Sequence, residues 1–328
     1  MNKPNATLLL TGVLAGVTAV LLMLGANEQS SLSSILYAAS ALPILIVGLG
    51  WGNIAAITAV CTATVIGAAA VSPMFAFTMA IFTLLPSGWL SHLANLARPA
   101  TELGGPQGQM AWYPLSDILL HLCAVVCIAV IALGVMIGYG PEMTSQMVDI
   151  LVSSLTTQNP AAVPDPAGIA QAKAMMVLML PMVQGGLWVL MLFTTYYVAT
   201  RIVAVSGHGL RPREDIPSAL RMNRNALFVF LAGIVACFAG GVPAMLGATI
   251  CGTFGAGFLL SGFATLHLRT RGKDWQLPVL ILAYLAAFMV LPAIVILVIG
   301  LTDTRRAIAL SPAKPASMPP KTDTETKD

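Results

Sequence analysis

Asp117 and His121 stand four residues apart at the start of a long apolar run, so in a helix they share a face and can pair. His92 and Asn95 close the preceding apolar run at the same membrane side. Burying ionisable groups in lipid is costly, which makes such residues functional candidates. One carboxylate with two imidazoles could bind a ligand or couple it to protons, because histidine titrates near neutral pH. The alternative is an interfacial Asp–His pair that closes a loop between spans. Asp117 lies only one turn inside the boundary, and the interfacial reading is preferred. Gln184, Trp188, Tyr196 and Tyr197 could line a cavity on one span, with core packing the more ordinary role for each.

Other chemistry is hard to build. The five cysteines (Cys61, Cys123, Cys127, Cys237 and Cys251) all fall inside apolar runs and read as small core residues. Cys123 and Cys127 share a helix face, but His121 sits about 200° round the helix from Cys123, so no metal site is expected. The run GLGWG at 48–52 is not a GxGxxG and has no strand before it, and it reads as a tight connection between two short helices. No nucleophile elbow, HExxH, Walker loop or carboxylate cluster occurs, so neither an enzyme nor a cofactor is expected.

The elements that hold these residues belong in lipid. From Pro4 to Ala97 the only acid or base other than histidine is Glu28. A charge near the bilayer centre costs about 2.5–3.5 kcal/mol, which accounts for so complete an avoidance. Charged residues make up 9% of the chain and mean hydropathy is +0.86, against about 25% charged in soluble domains. These features predict an all-α polytopic transmembrane bundle forming one domain over 1–310. Nine apolar runs are candidate spans: 6–25, 35–50, 54–71, 74–96, 115–139, 172–199, 226–241, 242–267 and 277–301. The second and seventh are short. Gly240, Gly241 and Pro243 mark a turn that folds 226–267 into a hairpin.

The first run is too long for a signal-peptide core and is expected to be retained. Between the fifth and sixth runs, 143–155 has the spacing of an interfacial helix, followed by a linker at Pro160, Pro164 and Pro166. Residues 311–328 are polar and proline-rich and are expected to be disordered. Trp51, Trp112 and Tyr113 read as interface anchors.

Arginines and lysines fix an expected orientation. Arg201, Arg211, Arg213, Arg221 and Arg224 crowd one connection, and Arg269, Arg271 and Lys273 crowd another. Both are placed in the cytoplasm, together with the N-terminus and Arg98. Glu28, Glu142, Asp149 and Asp165 fall opposite, with Lys173 at a membrane edge. A ninth full crossing would send Arg305 and Arg306 outward, so either the last run does not cross or a nearly neutral tail is translocated. The basic loop 206–215 is placed to touch anionic headgroups, although topology alone explains most of its charge.

Small residues four apart (Ala244, Ala248, Gly252 and Ala256; Gly12 with Gly16; Ala15 with Ala19) allow close helix approach, chiefly within the chain. A net charge of +3, confined to loops and tail, offers no platform for nucleic acid.

Several blocks in order resemble the YybS-like family of bacterial membrane proteins: ALPILIVGLGWG (41–52), AWYPLSDILL (111–120), YYVATRIVAVSGHGLRP (196–212) and GFATLHLRTRG (262–272). The resemblance covers most of the chain. It implies a bacterial inner-membrane location and supplies no catalytic residues. The first four runs are also similar to the substrate-binding subunits of energy-coupling-factor vitamin transporters, in which an AxxxA face, matched here by Ala15 and Ala19, docks a membrane partner. Those subunits are shorter, with six spans.

The expected function is therefore transport-type, a small molecule bound or passed within the bundle, with coupling to protons or to a partner ATPase. The competing reading is a non-catalytic scaffold whose arginine loops and small-residue faces recruit proteins. The lipid bilayer is the common partner, joined by a small-molecule ligand in the first case and a membrane protein in the second.

Overall fold

The computed structural model describes residues 6–28, 32–159, 165–305 and 307–312 of the 328. In chain order come α1 (Ala6–Glu28), α2 (Ser33–Trp51), α3 (Asn53–Ala70), α4 (Pro73–Met79), a π-helical turn (Ala80–Leu84) and α5 (Leu85–Ala94). There follow β1 (Ala97–Pro99), a 3-10 turn (Ala100–Leu103), β2 (Gln109–Trp112), α6 (Leu115–Ile137), α7 (Pro141–Gln158) and α8 (Pro166–Val205). The chain ends with α9 (Ile216–Ala219), α10 (Arg224–Cys237), α11 (Gly241–Thr270), α12 (Gln276–Ala286), α13 (Val290–Thr302) and β3 (Leu310–Pro312).

The fold is all-α, and each of the nine apolar runs coincides with helix. Among the described residues seven helices, counting α4 to α5 as one, are long and apolar enough to cross a bilayer, and the α12–α13 pair passes the same test as a bent unit. α10 is apolar but has only 14 residues, about 21 Å of helix. It lies antiparallel to α11, with Phe230 on Phe258 near its middle and Cys237 beside Cys251 at its end.

Breaks follow local chemistry. Gly52 alone joins α2 to α3 at φ 88°, a left-handed backbone that glycine adopts without steric cost. Ser72 caps α4 by accepting from the Phe75 N–H at 3.1 Å, and Pro73 takes the first helical position. Pro86 has no N–H to give, and the helix widens to the π turn just before it. The turn at Gly240 and Gly241, with φ of 72° and 54°, starts α11 as the sequence predicts.

Helices of the bundle touch backbone to backbone. A Cβ added at Gly252 would fall on the Met182 carbonyl of α8, at Gly262 on the Ile296 carbonyl of α13, and at Gly300 on the Phe258 carbonyl of α11. Gly12 and Gly16 do the same for α1 against Ala55 and Ala59 of α3. Ala15 and Ala19 are buried in one apolar cluster with Ile44, Val47, Ala55 and Ala59. Ala244, Ala248, Gly252 and Ala256 are buried as well. All these small residues therefore pack inside the chain.

Turns collect at two ends. At one, Trp51 stacks on His208 with ring centroids 4.6 Å apart, Arg211 donates to the Ala94 carbonyl at 3.2 Å, and Arg271 pairs with Asp215. Arg98, Arg213, Arg221, Arg224 and Lys273 belong to this basic end. Arg201 and Arg269, read from sequence as loop residues, are instead within α8 just before its last turn and on the last turn of α11. The opposite, acidic end carries Glu142 and Asp149 on α7, and Asp165 at the start of α8.

Three outcomes differ from the sequence reading. The ninth run is broken: the helix axis bends by 118° between α12 and α13. Beyond it the chain is back at the basic end, where Asp303 accepts from Arg221 at 2.8 Å and from Thr265 at 3.3 Å. The run thus starts and finishes at the same end of the bundle, the geometry of a re-entrant hairpin, which keeps Arg305 with the other arginines as the charge rule favours. Second, Ser311 and Pro312, assigned to the disordered tail, belong to β3, which pairs antiparallel with β2 as β2 does with β1. Trp112 Nε1 donates to Ser311 Oγ at 2.6 Å. The rest of the tail, 313–328, lies outside the described residues. Third, α8 begins at Pro166, and its 40 residues span about 60 Å, well beyond a bilayer core of about 30 Å. Its first turns project at the acidic end, where Lys173 pairs with Asp149 of α7 at 2.7 Å. Pro160 and Pro164 of the expected linker lie outside the described residues.

The glycine contacts yield a prediction. Gly252→Leu should destabilise the protein by roughly 3 kcal/mol through overpacking against Met182. Gly255→Ala, whose new Cβ would meet Leu297 and Phe230 at an ordinary 3.5 Å, should melt within a degree or two of wild type in detergent.

Candidate functional site

Asp117 sits in the first turn of α6, buried, and its carboxylate accepts from the Asn223 side chain. Asn223 also caps α10, its Oδ1 accepting from the Asn225 N–H at 2.9 Å. One asparagine thus fixes two helix starts at once. His121 is on the same face of α6, as expected, but its Nδ1 contacts the Asp117 backbone carbonyl at 2.8 Å rather than the carboxylate.

The two imidazoles meet round an aromatic instead. Trp89 lies 5.6 Å from His92 and 6.1 Å from His121, ring to ring, and Tyr113 approaches His121 edge-on at 6.0 Å. His92 Nδ1 is 2.9 Å from Asn53 Nδ2, and Asn95 Nδ2 donates to the Gly48 carbonyl at 2.7 Å. The expected residues are therefore neighbours at the basic end, yet they do not converge on one point. They knit the Gly52 turn, α5 and α6 together. Arg98, Trp112, Tyr113, Asp117 and Ile308 also line a cavity of about 370 Å³ beside the small sheet.

Arg221 and Asp303 add a mostly buried ion pair, with side chains 7% and 20% exposed, between the 216–223 segment and the end of the hairpin. The exposed Asp215–Arg271 pair works from the other side. The hydrogen bond from Arg271, and then that from Ser218, hold the Asp215 carboxyl below its ordinary value. That contact is complete above the unfolded carboxylate value of about 4 and fades as pH falls through the lower folded value.

A different cavity, about 410 Å³, opens in the acidic half of the bundle between α6, α8 and α11. Its walls are apolar, including Val130, Leu133, Leu180, Pro181, Val242 and Leu246, and Phe82 of the π turn lines it. Phe82 is held by Trp188, 5.2 Å away. Tyr139, Gln184 and Thr249 are the polar wall residues. Thr249 is satisfied by the Met245 carbonyl at 3.0 Å, whereas the Gln184 amide has no partner among the described residues.

Pro181 shapes this wall. It cannot donate to the Val177 carbonyl one turn back. Tyr139, just past α6, supplies the missing donor: its hydroxyl is 3.1 Å from the Val177 carbonyl and 3.2 Å from that of Met176. The sequence announces the freed carbonyl through a mid-span proline, but nothing in it says that Tyr139 answers.

Of the other sixth-span candidates, Trp188 packs on Phe82, Tyr196 is buried in the core, and Tyr197 is half-exposed under Arg201. Asn223, Arg221 with Asp303, Trp89 and Tyr139 were not anticipated. Cys61 is exposed on α3, unlike the buried Cys123 and Cys127. Among the described residues, no group of three or more His, Cys, Asp or Glu comes together. Comparisons with family models, with curated proteins and with solved structures returned no match.

The Tyr139 contact is open to a double-mutant cycle. Tyr139→Phe should cost about 1–2 kcal/mol by leaving the Val177 carbonyl bare, and should cost much less in a Pro181→Ala background, where the helix makes its own bond. Equal losses in both backgrounds would detach Tyr139 from the proline.

Proposed function

We propose that this integral membrane protein is a transport-type, non-catalytic bundle that binds an amphipathic small molecule in the cavity between α6, α8 and α11. The observation that carries the reading is the unpartnered Gln184 amide in a largely apolar wall. Small-molecule sites commonly combine an apolar lining with a few placed polar groups. A π turn and a proline break border the cavity, and such irregular backbone is frequent at functional sites. Asp117 and His121 serve to close the basic end.

The basic end faces the cytoplasm, by the arginine rule, in a bacterial inner membrane, as the YybS-like resemblance suggests. The scaffold reading draws support from the apolar α12–α13 hairpin, where Phe288 and Leu291 are largely exposed. It loses one support, because the small-residue faces, Ala15 and Ala19 included, are covered within the chain. That covering also weighs against docking a partner ATPase through α1.

Thermal-shift screening of the purified protein against vitamins, their precursors and other amphipathic compounds tests the proposal. At least one compound should raise Tm. Gly134→Phe, whose Cβ would meet Tyr139 at an ordinary 3.7 Å and whose ring would occupy the cavity, should abolish the shift, and Gln184→Ala should weaken binding about tenfold. Asp117→Asn and His121→Ala should leave ligand affinity unchanged. A complete absence of ligands, together with a stable co-purifying protein, would favour the scaffold.

A further inference from the structure

At the basic end a second cleft, lined by both apolar and charged side chains, lies between the last turns of α8 and the segment that follows it. It is lined by Tyr197, Thr200, Arg201, Arg211, Arg213 and Glu214, among others, and by Asn95, which caps the end of α5. Arg211 is committed: it pairs with Glu214 at 2.5 Å and donates to the Ala94 carbonyl at 3.2 Å. Arg201 and Arg213 are not. Among the described residues neither makes an ion pair, and the Arg201 guanidinium rests 5.5 Å above the Tyr197 ring. Three guanidinium groups therefore face one carboxylate, and the cleft carries excess positive charge.

The Asn95 side-chain oxygen is buried and receives no hydrogen bond. A ligand completing this cleft would present acidic oxygens to the two free arginines and a hydroxyl or amine donor to Asn95. The cavity, about 50 Å³, has room for a group of about four or five heavy atoms, the size of a phosphate. Planar guanidinium groups match phosphate oxygens in paired hydrogen bonds.

Beside the cleft, the outer face of α8 is apolar and exposed at Val198, Ile202 and Val205, the last 90% exposed. A soluble phosphate would have no use for that strip, whereas a lipid would lay an acyl chain along it. We propose that Arg201 and Arg213 form a headgroup site for an anionic phospholipid whose phosphodiester carries a hydroxylated substituent, with phosphatidylglycerol as the simplest example. The site is independent of the Gln184 cavity, which lies in the other half of the bundle.

The test uses the full chain in neutral detergent, titrated with phosphatidylglycerol, phosphatidylcholine or inorganic phosphate. Melting gives the apparent affinity, and native mass spectrometry counts the lipids retained. Phosphatidylglycerol alone should raise Tm, and Arg201→Gln and Arg213→Gln should each weaken its binding about tenfold. Arg269→Gln, at an exposed arginine of the same end, should bind like wild type. The proposal is overturned if Arg269→Gln loses as much, which would mean bulk charge attraction. It is equally overturned if inorganic phosphate reproduces the shift, or if the two cleft variants retain normal lipid binding.

Discussion

Gly247, Gly252 and Gly262 bring the backbone of α11 directly against α10, α8 and α13, and no side chain could be added at these points without striking a backbone atom or a helix behind it. In a bilayer the apolar face of a helix gains nothing by leaving lipid for protein, so association depends on close packing and satisfied polar groups. α11 supplies that packing on three sides, and two-thirds of its apolar stretch is buried. The cavity, the arginine cleft and the C-terminal hairpin are all positioned by helices that lean on it or on its neighbours.

A second constraint acts on the backbone itself. Every amide in the hydrocarbon needs a partner within the protein. Where prolines interrupt the ladder, the chain finds substitutes: Tyr139 answers the carbonyl freed by Pro181, and a π turn absorbs Pro86. Separately, Thr195 of α8 donates to the Ala38 carbonyl of α2 at 3.2 Å, a polar contact between two helices. These repairs cluster near the apolar cavity or at helix contacts, so the irregularities needed for a binding site coincide with the tightest backbone bookkeeping. The polar groups at the basic end have a different task. Asp117 with Asn223, and Arg221 with Asp303, tie loops that are close in space but about a hundred and eighty residues apart at the extremes, and they hold the hairpin's return in place.

Much of this was legible in the residues. Charge avoidance gave the helices, though not all their limits, because the cost of a buried charge is large compared with any helix propensity but does not apply where a helix runs on past the bilayer, as α8 does at Lys173. Gly52 and the Gly240–Gly241 pair marked real turns, and the spacing of Gly252 and its neighbours marked a real contact face. The small sheet was not legible: its strands have three or four residues and pair 97 with 112 and 110 with 311, separations that leave no local pattern. The break between α12 and α13 was visible only as a conflict with the charge rule, since Phe288 and Met289 look like ordinary span residues. Asp117 and His121 shared a face as their spacing required. What spacing could not show was that Asn223, far along the chain, takes the carboxylate and leaves the imidazole to a backbone carbonyl.

The most direct test of this architecture is the sidedness of single cysteines in a cysteine-free background, probed with an impermeant thiol reagent on intact cells. Ile308→Cys, beyond the re-entrant hairpin, should label only after the membrane is opened, whereas Ser154→Cys on α7 should label from outside. Labelling of position 308 in intact cells would mean that the last apolar run crosses fully, and the account of the hairpin, the β2–β3 pairing and the common basic end would fail together.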